Sequence, residues 1–278
     1  MKSKLHLTAL QIPLFWESPL ENRAYIDQQL KKIANPTDLV LLPEMFSSGF
    51  TMNPEAVAEP MGGPSTQWMQ TWATKLNAVM GGSLVIQEGA YFYNRFMMVT
   101  LTEEVIYYDK RHTFTLAGEH KAYRAGENEG IFDYQGWKIC LRICYDLRFP
   151  VWSRNTLDYD LLLYVANWPK PRINAWDTLL KARAIENLSY VVGVNRIGKD
   201  EKDNVIWKIQ KGKDAGSPFG NDVQITFTGL YENNKEYLVS FSSEKVIDIM
   251  RKYGLMYKHQ EDFPDENERT PLNDGEKA

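Results

Sequence analysis

The residue best placed to do nucleophilic chemistry in this sequence is Cys144. It follows the apolar run 138–143 and precedes Tyr145-Asp146, where the chain turns before Pro150. A strand that ends in such an elbow presents a side chain at the open edge of a sheet, where ligands bind in α/β proteins. The N–H groups after the elbow can point at a developing oxyanion. A thiol with an ordinary pKa near ~8.5 is mostly protonated at neutral pH, so it needs a base or a cation beside it. Four histidines are available, and His112 and His120 are the candidate partners among them. The other kind of base is a carboxylate in an apolar pocket. Glu44 has that context, because it follows Leu39-Val40-Leu41-Leu42-Pro43 at a strand end, where a charge is costly unless it is paired or functional. Lys110, in YYDKRHTF, leaves another strand. An ammonium there would favour the thiolate and then hold an oxyanion. Arg111 offers the same charge, and spacing alone does not choose between the two. Cys140 lies on the strand that leads to Cys144 and is expected in the core, since no CxxC pair or nearby His supports a metal site.

These positions depend on alternating strands and helices. Strands are expected over 5–12, 38–42, 82–87, 90–101, 104–108, 137–144, 161–166 and 190–195, from apolar runs and period-two alternation. Helices are expected over 19–33, 65–79 and 176–188, the first with Ser18 as N-cap and Pro19 at its first position. The interleaving predicts an α/β protein with a largely buried sheet. No repeat or long linker divides the chain, so one domain over residues 1–257 is expected. The acidic, polar segment 258–278 reads as a tail that orders only against another chain.

Composition narrows the function classes. The 278 residues carry 32 Lys+Arg against 36 Asp+Glu, a net charge of −4, with no long basic block. Nucleic-acid binding is therefore disfavoured. No window approaches the ~18 apolar residues of a membrane span, and the N-terminus lacks a signal-peptide pattern. Two cysteines cannot build a disulfide framework or complete a four-thiolate zinc site. A reduced, cytoplasmic protein is expected.

Taken together, Glu44 in LLPEMFSSGF, Lys110 in YYDKRHTF and Cys144 in LRICYDLRFP resemble the three signature segments of the nitrilase, or carbon–nitrogen hydrolase, superfamily, in the same order. Residues 166–200, together with FSSGFTMNP and TFTLAGEHKAYRAGE, are similar to its omega-amidase branch. The resemblance implies a four-layer αββα sandwich, often paired as a homodimer, and an enzyme that needs no metal or cofactor. It implies Cys144 as nucleophile and Glu44 as base, with Lys110 and the Tyr145 N–H as oxyanion donors. Glu119 matches the family's second glutamate, which orients Lys110; the two histidines then lose their catalytic role. The implied substrate is an ω-amide of a short dicarboxylic acid, such as 2-oxoglutaramate, cleaved to acid and ammonia through a thioester. Arg148 and Arg172 are candidates for its distal carboxylate, and Phe50, Phe114, Trp168 and Trp176 for apolar walls. Alternatives are another carbon–nitrogen hydrolase, acting on a nitrile, an N-carbamoyl compound or an aliphatic amide, or an inactive binding module. Residues 201–235 depart from the pattern: IQKGKDAGSPFGND keeps the turn residues Gly212, Ser217, Pro218 and Gly220 without the apolar strand expected between them.

Overall fold

Two large β-sheets form because their strands carry apolar side chains on both faces. In the computed structural model, which describes residues 5–102, 104–199, 205–206 and 223–227, the chain runs in order through the following elements. They are β1 (Leu5–Ala9), α1 (Pro19–Leu30), β2 (Leu39–Leu41), β3 (Glu59–Pro60), α2 (Pro64–Leu76), β4 (Val79–Glu88), β5 (Tyr91–Val99) and β6 (Val105–Asp109). There follow α3 (Glu119–Ala122), β7 (Ile131–Tyr134), β8 (Trp137–Ile143), β9 (Leu161–Ala166), α4 (Ile173–Asn187), β10 (Tyr190–Asn195), β11 (Gly198–Lys199), β12 (Val205–Ile206) and β13 (Val223–Phe227). The first sheet has the order β13-β1-β2-β4-β5-β6, with β3 beside β4, and the second has β10-β9-β8-β7. Strands β11 and β12 pair separately as a third, two-stranded sheet. Strands β13, β1, β2 and β4 are mutually parallel, and so are β8, β9 and β10.

Side-chain period two decides the layering. Leu5, Leu7, Leu39, Leu41, Val79 and Phe96 of the first sheet meet Ile139, Leu141, Ile143, Leu161, Leu163 and Val165 of the second, all fully buried. The alternate residues face outward onto helices. Val40, Leu42 and Met80 pack against Ile26, Leu30 and Met69 of α1 and α2. Leu162, Tyr164 and Ala166 pack against Trp176, Leu179 and Leu180 of α4. The result is the expected αββα sandwich, in which each fully buried Leu contributes about 2 kcal/mol of burial.

Element ends differ from expectation by local chemistry. Helix α2 stops at Leu76 because Asn77 adopts a left-handed conformation, φ 51°, so Val79 opens β4 rather than closing the helix. Ser18 precedes α1, but its side chain makes no capping bond. Asn22 ties that end down instead, donating from Nδ2 to the carbonyls of Phe15, Ser18 and Ser47. The short elements β3, β7 and α3 had no expectation. Most of the irregular segment 201–235, and the whole of 258–278, lie outside the described residues.

Candidate active site

Two side chains converge at the ends of strands that run the same way. Strand β6 is antiparallel to β5, which is antiparallel to β4, so β2, β4 and β6 share a direction. Glu44 follows β2 and Lys110 follows β6, which brings both to one end of the first sheet. The Glu44 loop sits close on β4 because Gly82 has no side chain; a Cβ there would lie 2.9 Å from both Leu42 and Phe46. The Lys110 backbone N–H donates to the Asn94 carbonyl at 3.0 Å, which fixes the exit from β6.

Lys110 Nζ lies 2.9 Å from Glu44 Oε1 and 3.0 Å from Glu119. The three side chains are at most 1% exposed. Glu119 opens α3 and accepts a short hydrogen bond from the Phe114 N–H. Asn94 Nδ2 donates to Glu44 Oε1 at 2.8 Å and to Glu119 Oε1 at 3.3 Å. Its Oδ1 accepts from Ser83 Oγ, which in turn accepts from the Met45 N–H. The other Glu44 oxygen accepts from the Asn167 N–H at 2.7 Å, just after β9. Asn167 Nδ2 also donates to the Glu44 carbonyl at 2.5 Å. Glu44 is thus surrounded by donors, an arrangement that suits a carboxylate and fixes its rotamer.

Cys144 comes from the second sheet. Strand β8 ends at Ile143, and Cys144 begins a 3₁₀ turn, Cys144–Arg148, with φ 45°. Left-handed backbone is uncommon for a residue with a Cβ and marks a position held by its surroundings. The turn lifts Cys144 out of the strand, where it stays partly buried, whereas Cys140 points into the fully buried layer under α4.

A carbon-nitrogen hydrolase family model matches residues 7–221. The chain belongs to this family. The omega-amidase YafV of Yersinia enterocolitica is 46% identical over 199 residues, 72% of this chain and 77% of the relative. The 2-oxoglutaramate amidase of Bacillus subtilis is 32% identical over 202 residues, 71% of this chain and 78% of the relative. Among solved structures, XC1258 from Xanthomonas campestris, a CN-hydrolase superfamily protein with an arsenic adduct in its active site, superposes with a TM-score of 0.74. It is 35% identical, over 89% of this chain and 94% of its own. Nit3 of Saccharomyces cerevisiae, at 19% identity and a TM-score of 0.68 over 90% of this chain and 95% of its own, shares the fold.

The electrostatics of this hydrolase explain why its thiol needs a base. Burial, and after it the Glu44 carboxylate, push the Cys144 thiol well above its ordinary value, against the pull of Lys110. Burial also works against the Lys110 ammonium, but Glu119 and Glu44 outweigh it and hold the amine above the usual lysine range. Lys110 therefore stays charged, and the resting thiol stays protonated. Burial raises the Glu119 carboxyl, opposed by Lys110. Among the described residues, no group of three His, Cys, Asp or Glu side chains is placed to hold a metal ion. No helix among them is long and apolar enough to cross a membrane.

The remaining expected residues fall into two groups. Phe50 lies under the Lys110 ammonium, 5.1 Å from ring centroid to Nζ. Phe114 packs on Tyr145 at 5.0 Å, and the Arg172 guanidinium covers Phe114 at 5.2 Å. Arg148 covers Trp168 at 5.2 Å. Both arginines are exposed. Trp176 stands one layer back, in the core beneath α4, where it supports Trp168 at 5.4 Å. His120 is exposed, and His112 is bound to Asp146 behind the elbow. Asn94, Ser83 and Asn167 were not expected. The signal for Asn94 was its place in YFYNRFMMV, since a polar side chain inside a buried strand is costly unless bonded.

Proposed function

We propose that this hydrolase is an omega-amidase, cleaving ω-amides of short dicarboxylic acids of the 2-oxoglutaramate type to the dicarboxylate and ammonia. The observation that carries the mechanism is the fully buried Lys110 ammonium held between Glu44 and Glu119 beside the thiol of Cys144. Glu44 takes the thiol proton as Sγ attacks the carboxamide carbon. The oxyanion is held by Lys110 and by the Tyr145 N–H, one of the first-turn donors that a helical turn leaves without a partner inside it. The intermediate collapses as Glu44 returns the proton to the nitrogen, releasing ammonia and leaving a thioester. Glu44 then removes a proton from water, which attacks the thioester carbonyl. Collapse of that second intermediate breaks the C–S bond, frees the acid and restores the thiol. Glu119, fixed by the Phe114 N–H, orients Lys110 throughout.

The substrate assignment draws on the names of the two relatives and on the two exposed guanidinium groups flanking the elbow. Phe50, Phe114 and Trp168 supply the apolar walls. A distal carboxylate held by charge-assisted hydrogen bonds gains about 1.5–3 kcal/mol. The R148M/R172M double variant should therefore raise KM for a dicarboxylic monoamide by about tenfold or more, since tenfold corresponds to about 1.4 kcal/mol. Its KM for a neutral aliphatic amide should not change. An equal rise on both substrates, or on neither, would refute distal-carboxylate recognition by this pair.

We further infer a cytoplasmic homodimer. Two free cysteines suit a reducing compartment. Val151 and Ile185, 87% and 62% exposed, give the α4 side an apolar surface that a second copy would cover. Sedimentation of the purified protein should give twice the 32.2 kDa chain mass, and a single-chain mass would overturn this.

A further inference from the structure

Behind the nucleophile lies a carboxylate that the mechanism above does not use. Asp146 is fully buried, two residues after Cys144. Its Oδ2 accepts from the Ile143 N–H at 3.0 Å and from the Tyr108 hydroxyl at 2.8 Å. Its Oδ1 accepts from the His112 N–H at 2.9 Å and lies 2.8 Å from His112 Nδ1. Tyr108 and His112 are the residues on either side of the Asp109–Arg111 segment, so they bracket Lys110. Ile143 immediately precedes Cys144. One carboxylate therefore grips both flanks of the lysine loop, which belongs to the first sheet, and the elbow of the nucleophile, which belongs to the second.

The hydrogen directions leave no freedom in this arrangement. The Tyr108 hydroxyl oxygen already accepts from the Arg111 N–H at 3.2 Å and from Trp152 Nε1 at 2.9 Å, so its single proton goes to Asp146. The Ile143 and His112 amides are donors by nature. The His112 ring is held from its other side, stacked on Phe149 at 3.7 Å. The Ile143 and His112 amides and the Tyr108 hydroxyl all donate, so both oxygens of Asp146 accept, as only a carboxylate's do, and the His112 ring joins them in the tautomer that carries its proton on Nδ1. An asparagine would turn an NH2 toward donors on one side and release one of the two tethers.

We propose that Asp146 is the positioning residue that fixes the Lys110 ammonium relative to the Cys144 thiol across the two sheets. It touches neither substrate nor the reacting atoms. The proposal rests on the assignment of Cys144 and Lys110 to catalysis, and displacement of such a pair by about 1 Å costs on the order of 10²-fold in rate.

The test compares Asp146→Asn and Tyr108→Phe with the wild type in three measurements: thermal stability, kcat and KM for ammonia release, and the rate of Cys144 alkylation by iodoacetamide at fixed pH. Asp146→Asn should remain folded, lose about 10²-fold in kcat and keep KM within about twofold. Its alkylation should slow, because a displaced Lys110 no longer lowers the thiol pKa. Tyr108→Phe keeps the carboxylate and its bonds to Ile143 and His112 but removes one tether together with the acceptor of the Arg111 N–H and of Trp152 Nε1, so it should lose about tenfold in kcat. If Asp146→Asn does not fold, Tyr108→Phe decides by the same three readings. A merely structural Asp146 would lower the melting temperature and leave kcat per folded molecule and alkylation unchanged, and that result overturns the proposal. Should the wild type release no ammonia from any amide, the catalytic assignment fails on its own, and the alkylation rates still report whether Asp146 positions Lys110 against the thiol.

Discussion

Cys144→Ala should end ammonia release and leave the fold intact. Without Sγ there is no thioester, and the buried set of Glu44, Lys110 and Glu119 holds no other nucleophile of comparable strength. The fold has little reason to respond. Alanine meets the same backbone demand at φ 45° as cysteine does. The hydrogen bonds that shape the turn run through Ile143 and Asp146, and those around Lys110 run through Glu44, Glu119 and Asn94. Circular dichroism and melting temperature should therefore match the wild type. Serine should fail almost as badly, because a hydroxyl holds its proton more tightly than a thiol does. The same chemistry fixes a second reading on the wild type. With the thiol raised by burial and by Glu44, iodoacetamide alkylation of Cys144 should climb with pH and show no plateau near neutrality. Cys140, fully buried, should stay unlabelled in the folded protein. Turnover retained in Cys144→Ala would remove the nucleophile assignment.

Glu44→Gln is the second large effect, expected at about 10³-fold in kcat by analogy with the loss of a positioned general base. Two contributions add. The variant has no carboxylate to take the thiol proton or, later, a proton from water. It also brings an NH2 group into a place where each neighbour is itself a donor: Lys110 Nζ, Asn94 Nδ2 and the Asn167 N–H. One of those contacts must break, and leaving a buried polar group unsatisfied costs about 1–3 kcal/mol. Denaturant unfolding should show a loss of that size alongside the kinetic one. A fall in stability with kcat near wild type would mean that Glu44 is structural and that another group takes the proton.

Much of this site was legible because family resemblance lives in contiguous segments. LLPEMFSSGF, YYDKRHTF and LRICYDLRFP each carry one reactive side chain inside its own strand exit, so each could be read without knowing what packs against it. Strands were legible for a related reason. Leu161 to Ala166 and Trp137 to Ile143 are apolar on both faces, and that pattern belongs to a sheet covered on both sides. Long-range partners left no such trace. Asn94 is fifty positions from Glu44, and Asn167 is more than a hundred away; the pairing of β2 with β4 and of β4 with β5 brings the first near, and the packing of one sheet on the other brings the second. Asp146 looked like an ordinary turn residue beside Cys144, since its meaning depends on Tyr108 and His112 arriving from the other sheet. Two boundaries failed where one residue took a left-handed backbone. Asn77 closed α2 early, and Cys144 itself left β8 one residue sooner than the alternation suggested.

The division of the site between the sheets has a consequence for what can vary in this chain. Glu44, Lys110 and Glu119 arrive before residue 120, and Cys144 with the Asn167 clasp arrives after residue 140. Under the proposed mechanism neither half holds a working set, so the reaction would belong to a boundary inside one polypeptide, much as some enzymes place theirs between two subunits. Leu41, Phe96, Leu141 and Leu163 lie in that boundary and touch no substrate. Their packing nevertheless sets the spacing across which a proton must pass. Selection for turnover thus reaches deep into the hydrocarbon interior, and a side chain there is constrained as a gauge of distance as well as a filler of space.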